Sequence, residues 1–81
     1  MHVRNLVALG FLARRRGQVE AVHTNALSYL LQAQHYDLQD CVGAAHADLA
    51  WVAWRSDDPT RAEEYARNAL AAWHASAIAY P

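Results

Sequence analysis

Three breaks divide this chain into four stretches of helical periodicity, joined by connections of only two to four residues. Connections that short force consecutive helices to pack antiparallel. The first stretch, residues 3–16, is stopped by Gly17, with Arg14, Arg15 and Arg16 in its last turn, where cations complement the helix dipole. The second covers about 18–35 and places Val19, Val22, Ala26, Tyr29, Leu30 and Ala33 at helical spacing. For the third, about 37–55, Asp37 reads as an N-cap with Asp40 three residues on, a capping-box-like start. Its apolar side is Val42, Ala45, Leu49, Val52 and Ala53. The fourth opens on Asp57, Asp58 and Pro59, with Glu63 and Glu64 close behind, and runs to about 78. There Ala62, Tyr65, Ala66, Ala69, Leu70 and Trp73 form one stripe, and Glu63 and Arg67 make an i,i+4 pair.

Composition agrees with helices throughout. Alanine, the strongest helix former, fills 18 of 81 positions, against six Val, one Ile and two Thr. The expected fold class is all-α, as one small domain. All seven basic residues are Arg, balanced by eight acids to a net charge of −1, which argues against a strongly electrostatic nucleic-acid or membrane binder. An alanine-rich, lysine-free chain also fits a GC-rich bacterial genome. The single cysteine, Cys41, excludes an internal disulfide and a cysteine-based zinc site, and fits a reducing, cytoplasmic setting. No stretch approaches the ~20 apolar residues of a membrane span. The eight-residue apolar run at 6–13 lacks a cleavage site, and lying on a membrane surface is its less favoured reading.

An internal echo points further. Leu9-Gly10 is followed by a break at Gly17, and Leu49-Ala50 by a break at Asp57-Asp58. After each break comes a helix whose inward positions are small. Leu49, Ala50 and Ala53, then Ala62, Ala66, Ala69 and Leu70, let two helices approach closely while Leu fills the groove. This pattern resembles the tetratricopeptide repeat. The stretch at 45–73 is similar to the degenerate repeats in the helical arms of large bacterial signalling ATPases and transcription regulators. The likeness implies two antiparallel hairpins, about 3–36 and 37–78, stacked as four helices. It departs from the family in its period, 40 residues from Leu9 to Leu49 where about 34 is usual, and in having His74 where a helix-ending proline is expected. The first copy also carries Val22, Ala26 and Tyr29 where small residues are the rule. The apolar stretch 75–81 offers no polar capping helix, so a fragment of a longer array or a homo-oligomer is expected.

Nothing in the sequence composes a reaction centre. His2, His23, His35, His46 and His74 include no i,i+3 or i,i+4 pair, so no helix presents two metal ligands on one face. Cys41 and His46 lie ~140° apart around a helix and form no local nucleophile–base pair. No nucleophile elbow, zinc-protease helix, P-loop or dinucleotide fingerprint is present. Neither a catalytic residue nor a cofactor or metal is expected. Arg14 to Arg16 reads as a solvated helix end before it reads as a phosphate contact.

Aromatics and arginines supply the remaining signal. If the repeat alignment holds, the groove-facing positions are Arg4, Val7, Phe11, Arg14 and Arg15 on the first helix. Their counterparts on the third are Ala44, Ala47, Trp51, Trp54 and Arg55. Arg4, Phe11, Arg14, Arg15, Trp51, Trp54 and Arg55 are therefore the expected partner-binding residues, since aromatics and Arg dominate interface hot spots. The partner would be an acidic or amphipathic peptide, a neighbouring repeat or a second copy. The competing reading makes Trp51 and Trp54 core residues of a small four-helix bundle with a regulatory or nucleic-acid-linked role. An enzyme with a pocket lined by Trp and His is the remotest of the three. The expected function is non-catalytic protein–protein interaction or oligomerisation.

Overall fold

The computed structural model describes residues 17–79, and all but eight of these are helical. They form α1 (Val19–His35), α2 (Gln39–Arg55) and α3 (Pro59–Ala79). The fold is all-α, as the alanine content implies. The first expected helix, 3–16, lies outside the described residues.

Two turns with the same construction connect the helices. In the first, the Asp37 N–H donates to the Gln34 carbonyl at 3.3 Å and the Leu38 N–H to the Ala33 carbonyl at 2.8 Å. In the second, Asp57 donates to Trp54 at 3.2 Å and Asp58 to Ala53 at 2.9 Å. This is the paired 5→2 and 6→1 bonding of a Schellman ending, and it requires a left-handed residue just past the helix. Asp37 (φ 54°) and Asp57 (φ 63°) fill that place. Gly17 is also left-handed at φ 69°, so the three breaks fall at 17, 37 and 57, an interval of 20 residues. Asp37 therefore ends α1 instead of capping α2. The residue preceding α2 is Leu38, which provides no side-chain cap. Asp58 does cap α3: its Oδ1 accepts from the Arg61 N–H at 3.2 Å, with Pro59 at the first helical position.

Packing is serial. α2 lies between α1 and α3, and no Cα of α1 comes within 8 Å of one in α3. The core is one cluster of Ala26, Tyr29 and Ala33 from α1, Cys41, Val42, Ala45 and Leu49 from α2, and Ala72 from α3, with Tyr65 half-buried against it. Most of these residues are small, so the helices approach closely and large side chains are rationed. Leu49 is one of the few, and covering such a side chain contributes about 1.5–3 kcal/mol.

The expectation of four helices stacked as two antiparallel hairpins is corrected by this arrangement, because among the described residues there are three helices, not four. Residues 36–38, where the first expected hairpin gives way to the second, form a hairpin turn of the same kind as 56–58, and the second expected helix packs along α2. The physical reason is the matching Schellman turn at each junction, which reverses the chain at 36–38 in the same way as at 56–58.

Two contacts fix how the helices meet. The Tyr29 hydroxyl donates to Asp48 Oδ2 at 2.6 Å, with Tyr29 wholly buried and Asp48 nearly so, and this ties α1 to α2. On the other side, the indole of Trp73 lies directly on Gly43. A Cβ added at Gly43 would overlap the ring, with Cε2 at 2.9 Å and Nε1 and Cδ1 nearer still. Glycine in mid-helix costs about 1 kcal/mol relative to alanine, and here it makes room for the ring.

Candidate interaction surfaces

The helical order leaves a groove above the C-terminal half of α2. One open hollow of about 500 Å³ is lined by Val19, Glu20, His23 and Thr24 of α1 with Val52 of α2 and Ser56 just past its end. A second, about 170 Å³, shares His23, Val52 and Ser56 and continues over Leu49 and Ala53 to Arg61 and Tyr65 of α3. Because α1 and α3 do not close over α2, its Leu49–Val52–Ala53 ridge forms the floor. The rim is polar and mixed in charge: Glu20 and His23 on one wall, Asp58 and Arg61 on the other, with Arg61 Nε 3.8 Å from Asp58 Oδ2. That ion pair is largely solvated and contributes little to stability. At the inner end, the His46 ring lies 6.2 Å from that of Tyr65, and its Nδ1–H donates to the Val42 carbonyl at 3.1 Å. Nothing in this set juxtaposes a nucleophile with a base.

Outside the groove, the helices expose large apolar side chains. Leu27 and Leu31 are open on α1, Trp54 (66% exposed) on α2, and Leu70 (65%) and Trp73 (43%) on α3. The stripe read along the fourth helix therefore splits in two. Ala69 is buried and Tyr65 half-buried toward α2, while Ala66, Leu70 and Trp73 are exposed. Ala72, at the other edge of the stripe, completes the buried side.

Of the residues expected to bind a partner, Arg4, Phe11, Arg14 and Arg15 lie outside the described residues. Trp51, Trp54 and Arg55 lie on α2 away from Ala45 and Leu49, and they line neither hollow. The Arg55 guanidinium sits 5.7 Å from the centre of the half-buried Trp51 ring, within cation–π range. Trp54 is the exposed member of the pair. Sequence reasoning passed over the groove residues His23, Ser56, Arg61 and Tyr65. They come from three helices, and no local spacing links them. Cys41 is buried, as a small apolar side chain would be. Among the described residues no group of three His, Cys, Asp or Glu converges as for a metal, and no helix is long and apolar enough to cross a membrane.

Comparison with protein-family models, with curated proteins and with solved structures gave no match.

Proposed function

We propose that the chain is a non-catalytic helical-repeat module, of the tetratricopeptide-like kind, whose role is protein–protein interaction through self-assembly. The observation that carries the reading is the exposure of Trp54, Leu70 and Trp73 on the side of the α2–α3 hairpin away from the groove. Large apolar side chains left exposed on neighbouring helices are the kind of surface that another protein covers. Small residues beside them, Ala66 on α3 and the half-buried Ala47 and Ala50 on α2, let a partner helix come close. A single cysteine, Cys41, which is buried, fits a reducing cytoplasm, and the likeness of 45–73 to the arms of bacterial regulators fits a regulatory assembly.

Sedimentation equilibrium of the chain across a concentration series tests this. A reversible dimer or larger species is expected, and Trp51→Ala combined with Trp54→Ala is expected to weaken it while preserving helicity. A monomer at every concentration would overturn the reading.

A further inference from the structure

We draw no further inference here: the strongest candidate, the groove over the Leu49–Val52–Ala53 ridge of α2 between Glu20 and His23 of α1 and Asp58 and Arg61 beside α3, has a rim of mixed charge that selects no one partner chemistry, and nothing in the structure shows what covers it.

Discussion

Replacing Gly43 by alanine tests the α2–α3 contact, because two well-characterised effects oppose each other there. In an unconstrained helix the change stabilises by about 1 kcal/mol, through intrinsic propensity alone. At this position the new methyl overlaps the Trp73 ring at three atoms of its rigid five-membered ring. The ring must turn off α2 or the helices must separate. Overpacking of this kind costs about 1–3 kcal/mol, and a displaced indole also gives up its cover on α2. The clash wins, so Gly43→Ala is expected to destabilise by about 1–2 kcal/mol net. In a domain of this size that lowers the melting temperature by roughly 4–16 °C. Thermal and urea melts followed by circular dichroism provide the measurement. A double-mutant cycle removes ambiguity: in a Trp73→Ala background the obstacle is absent, and Gly43→Ala should then stabilise. Stabilisation by Gly43→Ala in the native background would refute the seating of Trp73 on α2.

Tyr29→Phe takes a buried donor from the Asp48 carboxylate and should cost about 1–3 kcal/mol in urea titration, whereas Tyr36→Phe, on an exposed ring, should be neutral. Asp57 holds φ 63°, so Asp57→Gly should leave stability unchanged or improve it, while β-branched Asp57→Val should lose at least about 1 kcal/mol in thermal melts. Equal effects of the two would deny the left-handed turn.

The three described helices were legible in the sequence to within one or two residues, because alanine-rich apolar periodicity and well-spaced breaks leave few alternatives. The meaning of the breaks was less legible. Aspartate is favoured both as an N-cap and as a tolerable left-handed residue, so Asp37 read as the start of α2 when it is the end of α1. That ambiguity placed the boundary between the two expected hairpins at 36–37, while the first helix of that expectation, 3–16, lies outside the described residues. On α3 a wheel projection grouped Ala69 with Ala66 and Leu70, since periodicity locates an apolar arc without saying how much of it a neighbour covers. Gly43 carried a usable sign, a glycine inside an otherwise good helix, which often marks a close packing contact. Asp48 carried another, a carboxylate on the apolar side of α2. Its partner Tyr29 lies on a different helix, and only the fold brings the two together. The groove residues have no such sign at all.

Serial packing has a kinetic consequence. Within the described residues every helix meets only its immediate neighbour in the chain, across a three-residue turn. Each docking step therefore closes a short loop, and none must wait for distant segments to find one another. Low contact order of this kind belongs with folding in microseconds to milliseconds. It also lets order spread outward from the central helix in either direction. Amide exchange should then be slowest in α2, which has neighbours on two sides, and faster in α3, which among the described helices packs against α2 alone.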